Sequence, residues 1–493
     1  MFESAELGHA IDKETFDAEL PALREALLDA QYDLLNSKKF PLIILISGVD
    51  GAGKGETVNV LHAWMDPRHI QTHALGPPTA EERERPAIQR FWRALPPKGK
   101  TGIFFTSWYT EPILQRVHKQ SRDAELDRTL DDIRHFERML TAEGALILKF
   151  WFHLSKDRQR ARLERLESKQ KTRWRVTKQD WKNFELYDRY RKISERALRE
   201  TSTAEAPWLV VEGTDERYRS LTVGKAILAA MRRRLDEPAP KAPATHAAPF
   251  IAPVDNVDIL QRLDLTQRLA KEAYEDALDK YQRKLALLSR TPGYEKRSII
   301  AVFEGADAAG KGGAIRRVTG ALDARHYRIV PIAAPTEEER AQPYLWRFWR
   351  HIPGRRTLTI FDRSWYGRVL VERVERFAAE PDWMRAYSEI NDFEEQLVQN
   401  GTILVKFWLQ ISQEEQLRRF ETREATAFKR FKITEEDWRN RDKWDAYQRA
   451  VCDMIDRTST EIAPWTLVEA EDKYFARAKV LRTLCDAIEE KIG

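Results

Sequence analysis

Only two cysteines, Cys452 and Cys485, occur among 493 residues, and neither sits in a CxxC or near a histidine spacing that would hold a metal. A disulfide framework and a structural zinc site are therefore not expected, and a reducing compartment fits best. Long hydrophobic runs are lacking as well, the longest aliphatic stretches being of the PLIILISG kind, far short of a membrane span. The opening segment MFESAELGHAIDKETF has no basic region followed by an apolar one. Neither export nor membrane anchoring is indicated, and a cytoplasmic location is expected. Nor does one sign of charge dominate: 83 basic and 78 acidic residues leave a net +5, so what matters is where each sign clusters.

What is present is a globular composition. An apolar share of 42%, an aromatic share of 10% and 15 tryptophans supply enough apolar surface to offset chain entropy. The chain also repeats itself. Shifted by the 257 positions that separate Asp50 from Asp307, it matches without a gap from about Pro41 to Ser220. Between Arg90–Tyr109 and Arg347–Tyr366 ten of twenty positions are identical, RFWR and SWY among them. The same register pairs GVDGAGKG with GADAAGKG, LKFWFHLS with VKFWLQIS and APWLVVEG with APWTLVEA. DEPAPKAPATHAAPFIAP, from Asp236 to Pro253, is too rich in Pro to sustain a helix or a ladder. The expected organisation is thus residues 1–235, a spacer at 236–253, and residues 254–493.

Within each copy, short β-rich runs alternate with amphipathic ones: SIIAVFEG then AIRRVTGAL, TLTIFDRS then WYGRVLVERVERF, TILVKFWLQI then QEEQLRRFETRE, PWTLVEA then YFARAKVLRTLCDAI. Apolar runs of four to eight bounded by turn signals are read as buried parallel strands, so the fold class is α/β. Each copy is expected to be a parallel sheet between helices. A leading helix, Leu263 to Ser289, is expected outside the second sheet.

The chemistry centres on GADAAGKGG, Gly305 to Gly313, which follows a strand and opens a helix. Glycines let backbone N–H groups turn inward around a phosphate, the helix N-terminus adds partial positive charge, and Lys311 reaches the outer phosphoryl oxygens. Gly305, Ala309, Gly310, Gly312 and Gly313 are the candidate phosphate cradle. Gly312 stands where a Mg²⁺-binding Ser or Thr usually does, so the metal must find other ligands. Asp307 would repel a phosphate unless a cation lies between them or it accepts a proton from an attacking group. A turn-capping role for Asp307 is the plainer alternative. Asp362, in FDRSWYGR, falls at the C-terminal end of a strand, the edge at which such sheets bind ligands. It and Asp307 are the candidate Mg²⁺ ligands, with Mn²⁺ able to substitute, and Arg363 and Arg368 can meet phosphoryl oxygens with planar forks.

Arg316, Arg325, Arg347 and other cations outnumber what one nucleotide requires and point to a longer polyanion, nucleic acid or polyphosphate. WRFWR, at helical spacing, also fits a half-buried core segment. Glu421 to Tyr447, with Arg423, Lys429, Arg430 and Lys432, has the charge of a lid that closes over phosphates, or of an exposed helical hairpin. The first copy keeps Asp50 and Lys54, but Phe105, Thr106 and Glu111 stand in place of Asp362, Arg363 and Arg368, and Asn59 and Val60 in place of Arg316 and Arg317. It is expected to be catalytically weak or dead, with Arg68, Arg90 and Arg93 left to bind polyanion.

At GADAAGKGG, FDRSWYGR and the WDAY…APW…VEA tail, the chain resembles the polyphosphate kinase 2 family, and the match covers both repeats, although the first copy departs from the family's motif and no catalytic residue is carried onto it. The resemblance implies two tandem P-loop kinase-like domains with helical lids, and reversible Mg²⁺-dependent phosphoryl transfer between inorganic polyphosphate and a nucleotide. It places Asp307 and Lys311 in the phosphate-loop motif and Asp362 and Arg363 in the second motif. Two-domain members suggest AMP as acceptor, giving ADP and a shortened chain, with no role for nucleic acid or a membrane and room for a homo-oligomer. Three alternatives stay open on the residues: a polyphosphate-dependent nucleoside diphosphate kinase, an ATP-dependent nucleotide kinase, and a non-catalytic polyanion-binding protein.

Overall fold

The computed structural model describes residues 1–237, 259–427 and 433–492, so most of the Pro/Ala-rich spacer lies outside the described residues. The chain forms two compact units that follow the duplication with one exchange. The first unit takes in Pro335–Trp346 from the second copy, and the second takes in Thr79–Gln89 from the first. Within the second unit, Gln89 donates to the Trp349 carbonyl at 2.8 Å and Arg85 to the Ile352 carbonyl at 3.0 Å.

Each unit is built on a five-stranded, wholly parallel sheet. In the first, β1 (Leu42–Gly48), β2 (Ile70–His73), β3 (Thr101–Phe104), β4 (Leu146–His153) and β5 (Trp208–Glu212) lie in the order β2-β3-β1-β4-β5. In the second, β6 (Ile299–Gly305), β7 (Tyr327–Pro331), β8 (Leu358–Asp362), β9 (Ile403–Gln410) and β10 (Trp465–Glu469) repeat it as β7-β8-β6-β9-β10. The chain leaves the central strand toward one edge and later crosses to the other. The crevice at the carboxyl end of β6 is therefore a topological switch point, where ligands of open parallel sheets bind.

The central strands are apolar along their length because helices cover both faces. Ile299, Ala301 and Phe303 of β6 pack with Val405, Phe407 and Leu409 of β9 and with Val480, Leu484 and Ile488 of the helix Lys473–Ile492. Each such Ile, Val, Leu or Phe side chain contributes about 1.5–3 kcal/mol by leaving water. Among the described residues no helix is long and apolar enough to cross a membrane.

Two helices differ from the sequence expectation. The leading helix begins at Lys271 rather than Leu263, because the Asp264 carboxylate accepts from Thr266 and Gln267 and fixes a turn instead. It packs on the helix Lys473–Ile492, outside the sheet. WYGRVLVERVERF, read as one amphipathic run, makes only the short turns Trp365–Arg368 and Val371–Val374, and Leu370 between them leaves helical space at φ −108°, ψ −98°. Buried hydrogen bonds cause the break. Trp365 Nε1 and Tyr366 Oη both donate to Glu394 Oε1, at 2.9 and 2.6 Å, which fixes the chain just after Asp362 and Arg363.

Glu394 is itself paired with Lys406, which lies fully buried in β9 and spends its three donors on Glu394, Tyr366 Oη and the Thr458 carbonyl. The first copy repeats the arrangement with Lys149, Glu137, Tyr109 and Thr201. SWY thus persists in both copies as an anchor of the fold, whatever happens to the residues before it.

Candidate active site

Backbone geometry explains the glycines at the start of the phosphate loop. Gly305 closes β6 at φ +150°, and a Cβ there would sit 2.6 Å from the Leu409 carbonyl oxygen. Gly310, at φ +112°, turns the chain into the helix Lys311–Thr319, whose free N–H groups no side chain caps. The loop's outer side is held by Arg419, which donates to the carbonyls of Ala308 and Ala309, both at 3.0 Å, and to those of Ala470 and Glu471, both at 2.8 Å. With its carbonyls engaged behind it, the loop offers N–H groups to a phosphate at a helix N-terminus. Lys311 Nζ lies within the loop, donating to Gly305 O at 2.7 Å.

Beyond the loop lies a cavity of about 460 Å³, lined by Asp307, Ala309, Gly310, Lys311, Gly312, Gly313, Arg316, Asp362 and Arg363. Sequence reasoning had singled out each of these, and the fold brings them together. Asp307 is gripped from two sides: Arg363 Nη2 donates to Oδ1 at 3.1 Å and Asn440 Nδ2 to Oδ2 at 2.9 Å. Arg363 adopts φ +63°, and burial works against its charge, but the carboxylates of Asp307, Glu304, Glu436 and Asp362 outweigh that and raise its pKa. Asp362 ends β8 beside Phe303 of β6, and its carboxylate takes no hydrogen bond or ion pair among the described residues. Two carboxylates at a phosphate loop supply the hard oxygen donors that would hold Mg²⁺ there together with water and a substrate's phosphates. Among the described residues no group of three His, Cys, Asp or Glu could hold a metal with protein ligands alone.

Other candidates lie elsewhere. Arg325 is exposed and paired with Asp323, Arg347 is buried and donates to the Ala333 carbonyl, and Arg368 is paired with Glu372; none lines the cavity. Their charge and carbonyl partners give them structural work that spacing alone could not reveal. Lys432, Lys429 and Arg430 lie outside the described residues. The WRFWR segment is core at Phe348 and Trp349, each 1% exposed. The charged segment expected as a lid supplies Arg423 and Asp437 to the cavity wall and carries Asn440 on the helix Glu435–Asp442.

Sequence reasoning passed over Arg418, Arg419, Lys473 and Arg477, all of which line the cavity. They arrive from two helices far along the chain and carry no local motif. With Lys311, Arg316, Arg363 and Arg423 they make eight cations facing Asp307, Asp362 and Asp437. Crowding and burial have a cost: burial, and next the charge of Arg419, lower the Lys473 pKa, a penalty that a bound polyanion would relieve. Glu304 was also missed. It is buried at the end of β6 with its pKa raised by burial, and it accepts from Ser364 at 2.8 Å.

A signal for the missed cations does exist in the internal repeat. Arg418, Arg423, Lys473 and Arg477 correspond to Ala161, Leu166, Glu216 and Ser220, so the first copy lacks four more of the cavity's charges. A carboxylate also stands at the start of its loop helix. Where the second copy has Gly313, the first has Glu56, in the first turn of the helix Lys54–Trp64. The Glu56 carboxylate accepts from Arg162 at 2.8 Å and Arg219 at 2.9 Å. Of the cations expected to persist, Arg68 is paired with Asp66 at 2.6 Å.

A family model described as polyphosphate kinase 2 matches residues 10–238 and 268–492. A polyphosphate:AMP phosphotransferase of Pseudomonas aeruginosa is 60% identical over 491 residues, covering 99% of both chains. One of Acinetobacter johnsonii is 40% identical over 465 residues, covering 93% of this chain and 94% of its own. A crystal structure described as a polyphosphate kinase 2 from Pseudomonas aeruginosa superposes with a TM-score of 0.90 at 57% identity, covering 100% of this chain and 99% of that one.

Proposed function

The chain belongs to the polyphosphate kinase 2 family, and we infer that it transfers the terminal phosphoryl group of inorganic polyphosphate to AMP, giving ADP and a polyphosphate one unit shorter. The observation that carries this reading is the second copy's cavity, where eight cations surround a phosphate loop at the sheet's switch point. A nucleoside triphosphate presents far less charge than such a wall can neutralise.

In the reaction an oxygen of the AMP phosphate attacks the terminal phosphorus, the bridging P–O bond breaks, and its electrons leave with the shortened chain. Nearly all the catalysis is positioning and charge stabilisation. The loop's N–H groups and Lys311 bind the transferred phosphoryl group, which Arg363 meets from the β8 side. Arg418, Arg423, Lys473 and Arg477 hold the rest of the polyanion. Asp307, fixed by Arg363 and Asn440, orients the attacking phosphate and can take its proton. Mg²⁺, held by Asp307 and Asp362, would neutralise bridging and terminal oxygens. The surrounding lid residues limit access of water and favour transfer over hydrolysis. A cytoplasmic location belongs to the same reading, supported by the scarcity of cysteine.

The test is ADP formation from AMP, Mg²⁺ and long-chain polyphosphate, compared with ATP as donor, for the wild type and for Asp362→Asn. Polyphosphate-dependent ADP that Asp362→Asn abolishes is expected. ADP formed with ATP alone would overturn the reading in favour of a nucleotide kinase.

A further inference from the structure

Part of the support of Asp307 comes from residues that do not reach the cavity. Its carboxylate accepts from Asn440 Nδ2 at 2.9 Å, and its carbonyl accepts from Gln416 Nε2 at 3.2 Å. Behind each amide stands a further donor. The Tyr447 hydroxyl donates to Asn440 Oδ1 at 3.1 Å, while Arg441 Nη1 donates to Gln416 Oε1 at 3.3 Å and to the Gln413 carbonyl at 2.6 Å. Asn440 and Arg441 lie on the helix Glu435–Asp442, Tyr447 on the helix Trp444–Thr458 and Gln416 on the helix Gln413–Glu424. Neither Tyr447 nor Arg441 lines the cavity.

The chemistry of an amide makes the outer donors matter. A carboxylate paired with Arg363 accepts and does not donate, so Asn440 must present its NH₂ end to Asp307. The amide oxygen then faces the other way, and a donor on that side holds the group against a half-turn that would set oxygen against carboxylate. Tyr447 is that donor. Burial, and next the Glu375 carboxylate, push its pKa up, so the hydroxyl keeps the proton it donates. The two copies differ at these outer positions. In the first, Asn183 donates to Asp50 Oδ2 at 3.1 Å and Gln159 to the Asp50 carbonyl at 2.9 Å, so both inner amides persist. Tyr190, the counterpart of Tyr447, turns instead to the Gly48 carbonyl at 3.4 Å, and Phe184 stands for Arg441. Of the two copies, the one with the charged cavity is the one whose relays are whole.

We propose that Tyr447 is a positioning residue of the reaction: through Asn440 it fixes the orientation in which the Asp307 carboxylate meets the attacking phosphate. Arg441 does the same for the Asp307 main chain through Gln416. Asp307 is thus set only when the helices Glu435–Asp442 and Trp444–Thr458 are both seated, although neither outer residue touches the reacting atoms. A carboxylate that must meet an attacking group in one geometry gains from being held there before the substrate arrives. What Asp307 does for the attacking phosphate rests on the function inferred above, whereas the relay is a property of the fold.

The experiment measures ADP formation by the full-length wild type, Tyr447→Phe, Asn440→Ala and the double variant, with AMP varied and polyphosphate or ATP supplied as donor, beside a thermal melt of each chain. Tyr447→Phe should lower kcat about three- to ten-fold, the worth of one neutral hydrogen bond, with the KM for AMP and for the donor unchanged. On the Asn440→Ala background the same substitution should change nothing, since the amide it acts through is gone. Tyr190→Phe, in the copy whose relay is broken, should leave ADP formation unchanged, and a loss there equal to that of Tyr447→Phe would overturn the proposal. A raised KM for AMP at unchanged kcat would make Tyr447 a substrate contact, and effects that add to those of Asn440→Ala would mean that it acts by another route; either result overturns the proposal too. In the melts Tyr447→Phe should lower the melting temperature of the wild type but not of Asn440→Ala. Should the wild type form ADP from neither donor, the function inferred above fails, and the melts still decide the relay: an equal loss on both backgrounds refutes it.

Discussion

The contrast between Glu56 and Gly313 can be turned into a test by moving the carboxylate. Gly313 lies in the first turn of the phosphate-loop helix with no left-handed φ, and a Cβ there meets only the end of Arg477, 3.2 Å away. Gly313→Glu should therefore fold, with its carboxylate beside Arg477 at a helix N-terminus. A charge-assisted hydrogen bond of about 1.5–3 kcal/mol must then be broken before polyphosphate can use that guanidinium and that turn. At about 1.4 kcal/mol per decade, the KM for polyphosphate should rise roughly ten- to hundred-fold. Stability should move the other way, since a glycine leaves a helix and a negative charge joins its N-terminus, together worth about 1 kcal/mol. The assay is ADP formation with both substrates varied, beside a thermal melt and a Gly313→Gln control. If Gln impairs polyphosphate use as much as Glu, the effect is steric, and the account of Glu56 as an internal anion is wrong.

Asp362→Asn should lower kcat by about 10²- to 10³-fold, whereas Asp50→Asn should leave ADP formation unchanged; loss in both would return the first copy to the catalytic machinery. Asn440→Asp sets a carboxylate where Asn440 Nδ2 now donates to Asp307 Oδ2 at 2.9 Å, and the repulsion should lower kcat with a raised pKa in the pH–rate profile, a shift that Asn440→Ala should not produce. Lys406→Met strands the buried Glu394 and should cost about 3–5 kcal/mol in denaturant melts, with Lys406→Met/Glu394→Gln recovering part of it. Burial pushes Tyr294 up to about 12, and its hydroxyl has no partner among the described residues. Because the folded state holds that proton more tightly, its stability is whole below about pH 10 and is lost as pH rises through about 12. Tyr294→Phe should thus flatten the alkaline limb of a melting-temperature profile and cost little at neutral pH.

Much of the fold was legible because its signals are local. Buried parallel strands are short apolar runs, and SIIAVFEG, TLTIFDRS and TILVKFWLQI became β6, β8 and β9 as read. The phosphate loop was legible because glycines at strand-to-helix turns answer a backbone need that no other residue meets. WYGRVLVERVERF was misread because helical period competes there with a hydrogen bond to Glu394, 28 residues away, which no window of sequence contains. The exchange of Thr79–Gln89 and Pro335–Trp346 between the units was hidden for the same reason. Arg418, Lys473 and Arg477 were invisible as single residues and become visible only when the two copies are laid side by side.

That comparison also separates what the fold needs from what the chemistry needs. SWY, the buried lysine and its glutamate are the same in both copies, because removing either charge leaves the other buried and unpaired. The charged residues that the first copy lacks are ones that line the second copy's cavity: Asp362, Arg363, Arg418, Lys473 and Arg477 have neutral or acidic counterparts. Arg419 and its counterpart Arg162 mark the border between the two classes. The first holds the loop by four carbonyls, and the second survives where no phosphate is expected because Glu56 has become its partner. Cations crowded around an empty cradle repel one another, and a copy that no longer binds polyanion can relieve that repulsion by discarding them or by supplying its own anion. The first copy has done both. Restoring Asp362 and Arg363 alone, as Phe105→Asp with Thr106→Arg, should therefore leave an isolated first-copy activity undetectable in a chain silenced by Asp362→Asn, since Glu56 still stands where the second copy has Gly313 and Ala161, Glu216 and Ser220 still stand for Arg418, Lys473 and Arg477; ADP formation by that chain would show that these cations and that glycine are not needed.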